Sequence, residues 1–170
     1  VEVVHGDTAA LPYGLGSYGS RTVQVAGSAI YLACERVLEK ARKIAAYLLE
    51  ADEADVVFEN GRFFVRGAPG RAVTFQEVAQ EAYIPSRLPP GFEPGLEAVA
   101  FFDPSSPTYP FGAHLALVEV DPETGAVKLL RYVAVDDCGK IINPMLTEGL
   151  IHGGVAQGVG QALWERAVYD

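Results

Sequence analysis

Cysteine, histidine and basic residues are all scarce in this chain, and each scarcity removes a class of function. The 170 residues include two cysteines, Cys34 and Cys138. That is too few for a disulfide scaffold, and neither sits in a C-x-x-C or at ligand spacing from a histidine. A reducing, cytoplasmic setting is expected. Lysine and arginine number 13 against 22 acidic residues, a net charge of -9. No basic surface is left to recruit nucleic acid or an anionic membrane, so neither is expected as a partner. No apolar run approaches the about 20 residues of a membrane span, and "VEVVHGDTAA" lacks the basic and apolar regions of a signal peptide. The chain opens on a strand-like Val1 to His5 without methionine, so truncation of a longer protein is expected.

Apolar residues make up 49% of the chain, which is globular composition and argues against disorder. Ile30, Cys34, Val37, Ala41, Ile44 and Leu48 recur at helical spacing within a helix expected from about Val23 to Glu50. Glu35, Arg36, Glu39, Lys40, Arg42 and Lys43 lie mostly off that stripe and are expected to face water, with Cys34 a small core residue. "VVFENGRFFV" places Asn60-Gly61 between two β-prone runs, a type I′ hairpin that sets Phe58 opposite Phe63 and Val56 opposite Val65. Thr74 and Glu77 form a capping box for a short helix.

Pro85 to Pro110 reads as a long surface excursion, with Leu96 to Phe102 its only strand candidate. A second hairpin is expected from "AHLALVEV" and "AVKLLRYVAV", joined by "DPETG" with Gly125 in a left-handed position. Both strands are apolar on both faces, which predicts burial in a sheet covered on each side. The last helix is expected from the Asn143 cap and Pro144 to about Arg166. It carries Gly149, Gly153, Gly154, Gly158 and Gly160. Each costs up to about 1 kcal/mol against alanine, so another backbone or a ligand is expected to approach one side.

"GLGSYGSRT", Gly14 to Thr22, contains a G-x-G-x-x-G. A nicotinamide-binding fingerprint needs a strand directly before the first glycine and a second strand ending in an acid about 20 residues on. Here eight residues separate His5 from Gly14 and the helix runs past position 40, which excludes that reading. What survives is anion chemistry: Gly19, Ser20, Arg21 and Thr22 stand at the start of a long helix, where free N–H groups and the dipole favour phosphate. Alternatively Ser20 or Thr22 merely caps the helix and Arg21 is solvated. "DDCGKIINP", Asp136 to Pro144, repeats the plan: a strand, a turn at Gly139, Lys140, then a helix at its Asn143 cap. Two such loops suggest a ligand with more than one phosphate, such as a dinucleotide form of a large cofactor. Cys138 reads as a packed thiol, since no histidine is placed to activate it.

Three ordered motifs, "PYGLGSYGSRT", "PFGAHLALVEVDPETGAVKLLRYVAVDDCGKIINP" and "EGLIHGGVAQGVGQALWE", resemble the molybdenum-binding large subunit of the xanthine dehydrogenase and aldehyde oxidase family. The likeness is strongest to the large chain of aerobic carbon monoxide dehydrogenases. The resemblance implies an oxidoreductase that hydroxylates carbon or oxidises carbon monoxide at a molybdenum-pterin, with water as oxygen source. It also implies the remainder of the large subunit and iron-sulfur and FAD subunits or domains as partners. By resemblance Gly19, Ser20, Arg21 and Thr22 contact the pterin or its phosphates. Cys138, Gly139, Lys140 and Asn143 hold the nucleotide end, and Gln157 with Gly158 approaches the pterin. Leu150 departs from the glutamine usual after the "EG" pair, so no polar contact is assigned there. The family's general-base glutamate belongs to a "GVGE" motif that does not occur here, and no catalytic residue is assigned. His5, His114 and His152 are not assigned as metal ligands.

The fold expected is α+β, two helix-and-hairpin units with mixed or antiparallel sheet, forming part of a molybdopterin-binding domain. The units are placed at residues 1–84 and 111–170, with the loop 85–110 between them. Such a fragment is expected to be inactive alone, to have an empty cofactor site and to self-associate through its apolar surfaces. The competing reading is a free-standing phosphate-binding or interaction module of the same fold without chemistry of its own.

Overall fold

The computed structural model describes residues 1–169. The chain divides into two units, Val1–Ser105 and Ser106 onward. Both combine helices with antiparallel sheet.

In the first unit a π-helical turn, Val23–Gly27, leads into helix α1, Ser28–Leu48. The helix ends in a Schellman closure: Ala51 N donates to Ala46 O at 3.0 Å and Glu50, at φ 48°, donates to Tyr47 O at 3.2 Å. The apolar stripe holds only over its second half. Ala41, Ile44, Ala45, Ala46 and Leu49 are buried, whereas Ile30 is exposed and so is Cys34, which is not a core residue. Helical spacing specifies one face, but burial also needs a neighbour, and the sheet and α2 cover only the C-terminal turns. On the solvent face Lys43 pairs with Glu39 at 2.8 Å, which lowers the Glu39 pKa and raises that of Lys43.

Strands β1, Val56–Glu59, and β2, Arg62–Val65, form the expected hairpin, with Asn60 and Gly61 at φ 49° and 75°. Its register is Phe58 opposite Phe63 and Val56 opposite Val65. A third strand, β3, Ala68–Thr74, pairs with β2 and has no counterpart among the expected elements. As an edge strand it tolerates a proline that has no N–H to donate. The fully buried Phe63 meets Phe58 at 4.6 Å and Phe75 at 6.0 Å between ring centroids. Helix α2, Phe75–Glu81, starts on a complete capping box. Thr74 N donates to Glu77 at 2.7 Å, and the Thr74 bonds lower the Glu77 pKa.

Two expected strands are absent. Val1 to His5 and Leu96 to Phe102 are irregular, since a β-prone run without a ladder partner leaves its N–H and C=O groups to water. The excursion is nevertheless fastened: Arg36 donates to Val99 O at 2.6 Å, Lys40 to Glu93 O at 2.9 Å, and Gly95 N to Ala82 O at 2.7 Å. Arg36 and Lys40, expected to face water, thus grip loop carbonyls.

The second unit is a hairpin of β4, Phe111–Val120, and β5, Val127–Asp137, followed by helix α3, Pro144–Leu163. At the turn Asp121 accepts from Glu123 N at 2.8 Å and Thr124 N at 3.2 Å, which lowers its pKa, and Gly125 has φ 71°. The expected coverage on both faces is not found. Among the described residues of this unit none is buried, and Phe111, Leu115 and Val135 are well exposed. Apolar patterning records a demand for cover; whether cover exists depends on other segments. Among the described residues no helix is long and apolar enough to cross a membrane.

Candidate functional site

The glycine loop of the first unit turns through Gly16 at φ 73°, Gly19 at 59° and Ser20 at 56°. Ser20 is not glycine, and a left-handed residue of this kind costs of order 1 kcal/mol, a strain often kept at binding sites. The loop closes on itself: the Ser17 and Thr22 hydroxyls share a hydrogen bond, and Arg21 donates to Gly16 O at 3.1 Å. The Arg21 guanidinium lies 3.9 Å from the Tyr18 ring centroid, a cation–π contact. Its Nε is buried without a partner. Neither the bland capping role nor the solvated arginine is found. Thr22 occupies the cap position without a side-chain cap bond, and Arg21 is partly buried. The π-helical turn that follows widens the helix start, a feature common at functional sites.

In the second unit β5 ends at Asp137, whose carboxylate accepts from Gly139 N at 2.9 Å, with Gly139 at φ 75°. The Asn143 carboxamide accepts from Leu146 N at 3.3 Å and caps α3, with Pro144 in the first turn. Cys138, Gly139, Lys140 and Asn143 are therefore neighbours on one exposed loop, and Lys140 makes no ion pair among the described residues. Cys138 is exposed, contrary to the packed-thiol expectation. Gln157 and Gly158 lie farther along α3, exposed. At about 1.5 Å per residue, Gln157 is about 21 Å from the cap. A methyl group added at Gly149, Gly153, Gly154 or Gly158 would meet nothing within 4 Å. Among the described residues of this unit, no backbone outside α3 approaches these four glycines.

Sequence reasoning missed two sets of contacts, one in each unit. Tyr18 supports Arg21. On the hairpin, His114 bridges Tyr132 and Asp136 at 3.0 and 3.2 Å. The spacing within β5 hints at the latter pair, but only the strand register joins them to His114. Among the described residues no group of three or more His, Cys, Asp or Glu could hold a metal ion.

The donors at each loop, a guanidinium edge in one and a free ammonium beside a helix N-terminus in the other, are fitted to anionic oxygen. A family model for the molybdopterin cofactor-binding domain matches residues 1–170. The chain belongs to this family. A carbon monoxide dehydrogenase large chain of Hydrogenophaga pseudoflava is 48% identical over 170 residues, all of this chain and 21% of that one. A nicotine 6-hydroxylase large subunit of Paenarthrobacter nicotinovorans is 43% identical over 159 residues, 93% of this chain and 20% of that one. This molybdopterin-binding chain thus spans about a fifth of the length of the curated relatives it matches. The crystal structure of the Cu,Mo-CO dehydrogenase in its carbon monoxide reduced state superposes with a TM-score of 0.86 at 44% identity, over 96% of this chain and 20% of that one. Quinoline 2-oxidoreductase from Pseudomonas putida 86 gives 0.81 at 43%, over 93% and 20%. The α+β fold is common to these structures and this chain.

Proposed function

We propose that this chain forms part of the cofactor cradle in the large subunit of a molybdenum hydroxylase. The observation that carries the reading is the glycine surface of α3, open along Gly149, Gly153, Gly154 and Gly158, within a chain of the molybdopterin-binding family. Gly19, Ser20, Arg21 and Thr22 bind pterin or phosphate oxygens; the free edge of the Arg21 guanidinium is already oriented by Tyr18 and Gly16. Cys138, Gly139, Lys140 and Asn143 hold the nucleotide end, and Gln157 and Gly158 line the path of the pterin. The about 21 Å from the α3 cap to Gln157 favours an extended, dinucleotide form.

When bound, a molybdenum-pterin supplies two-electron oxidation with water as oxygen source. The substrate is carbon monoxide, an aldehyde or a purine-type ring, and electrons pass to iron-sulfur and FAD subunits or domains assembled with the remainder of the large subunit. The working compartment is the cytoplasm, where Cys34 and Cys138 stay reduced. Alone, the 170 residues hold no cofactor and turn over none of these substrates, and their exposed apolar hairpin drives self-association. Sedimentation at several concentrations checks this; a concentration-independent monomer mass contradicts it.

The test of the cradle is Arg21→Ala in the full polypeptide. Loss of a charge-assisted phosphate contact of about 1.5–3 kcal/mol weakens cofactor retention roughly 10- to 100-fold. Unchanged molybdenum content after purification overturns the assignment.

A further inference from the structure

His114 stands at the middle of a cross-strand constellation that neither loop explains. In the β4–β5 register it lies opposite Ala134, whose small side chain leaves its ring free to reach both diagonal neighbours, Tyr132 on one side and Asp136 on the other. A carboxylate only accepts, so Nε2 donates to Asp136, while Nδ1 shares a hydrogen bond with the Tyr132 hydroxyl. Opposite Asp136 stands Gly112, where an added Cβ would lie 2.6 Å from the Asp136 carboxylate and 2.6 Å from Val135 O. The glycine vacates the space the carboxylate uses.

A bulge places these groups on one face. The register shifts between Leu117 and Val118, with Leu117 opposite Arg131 but Val118 opposite Leu129. Without that extra residue His114 would lie opposite Val133, and Tyr132 and Asp136 would point to the other side of the ribbon. Asp136 is followed directly by Asp137, which holds Gly139 N, and by the Cys138–Asn143 loop.

We propose that His114 is a positioning residue: by bridging Tyr132 and Asp136 it fixes the end of β5 from which the Cys138–Asn143 loop departs, and so sets that loop to hold the nucleotide end of the cofactor. The role rests on the cradle reading above. In this role His114 acts through Asp136.

The full polypeptide that carries this chain is purified with its cofactor as wild type, His114→Ala, His114→Asn and His114→Gln. Two quantities are followed: the nucleotide left per polypeptide during dialysis, measured after acid release, and hydrogen exchange of the Asp137–Asn143 amides. Glutamine places an amide nitrogen at about the reach of Nε2, whereas asparagine reaches only about as far as Nδ1. His114→Ala and His114→Asn are expected to speed both nucleotide loss and loop exchange about five-fold, the scale of one partly exposed bond to a charged group. His114→Gln returns both to within about two-fold of wild type. A role in packing alone would not separate glutamine from asparagine in this way. Unchanged loss and exchange in His114→Ala, or a His114→Gln variant as impaired as His114→Ala, overturns the proposal. Should His114→Ala not fold, Asp136→Asn removes the charge at constant volume and is expected to give the same five-fold effect, its absence being equally decisive. A purified wild type that yields no nucleotide on acid release overturns the cradle reading as well; one that carries it while the variants match it overturns this proposal alone.

Discussion

Gly158→Ala should make the protein a better helix and a worse cofactor binder. Within α3 the residue has helical geometry, and a Cβ built there meets nothing within 4 Å. Judged by this chain alone, the substitution relieves the entropy cost of an interior glycine and gains about 0.8–1.0 kcal/mol. If the pterin passes over this surface, the same methyl group intrudes on a packed contact and costs about 1–3 kcal/mol, a roughly 5- to 150-fold loss of cofactor. The two effects have opposite signs and are read separately. Circular dichroism of a peptide spanning residues 143–164 reports the gain in helicity, and molybdenum and pterin content of the purified full polypeptide report the loss. Gly160→Ala is the internal control: its Cβ would approach only the flexible end of Glu165, at 3.1 Å, which can swing away. Higher helicity in Gly158→Ala together with wild-type cofactor content would refute the idea that the glycines are reserved for the cofactor.

Other consequences follow from particular contacts. Gly112→Ala puts a methyl group 2.6 Å from Val135 O, a backbone atom that cannot move without opening the ladder; faster hydrogen exchange across β4 and β5 is expected, at a cost of about 1–3 kcal/mol, and unaltered exchange would contradict it. Glu77 is held below its ordinary value near 4.5, mainly by the backbone N–H of Thr74. A lowered folded value means that the cap contributes fully above about pH 4.5 and fades as the pH falls through the lower folded value. Protection of the α2 amides, taken relative to the intrinsic exchange rate at each pH, should therefore fall on acidification from about pH 6 to about pH 3, less so in Glu77→Gln; identical profiles would count against the cap. Phe63→Ala removes a fully buried ring that meets Phe58 and Phe75 and should destabilise the first unit by about 3–5 kcal/mol, checked by thermal unfolding; a change under about 1 kcal/mol would show that this core is not the one holding the unit.

What the sequence determined by itself is local. Asn60-Gly61 specified its turn and the opposition of Phe58 and Phe63, because a two-residue loop leaves one register. Thr74 with Glu77, and Asn143 with Pro144, marked two helix starts, since a cap needs only residues within one turn. For the same reason the two glycine loops at helix starts were legible: a glycine at positive φ and a helix N-terminus are properties of a few consecutive residues. The tertiary structure alone decided which strand-like runs found partners, so that Ala68–Thr74 became an edge strand while Val1–His5 and Leu96–Phe102 did not pair. It also decided that Cys34 and Cys138 lie at the surface. The His114 bridge shows the division most sharply. Its three residues are visible in the sequence, but one bulged position near Leu117 places them together, and a sheet with period two sends every side chain beyond a one-residue shift to the opposite face.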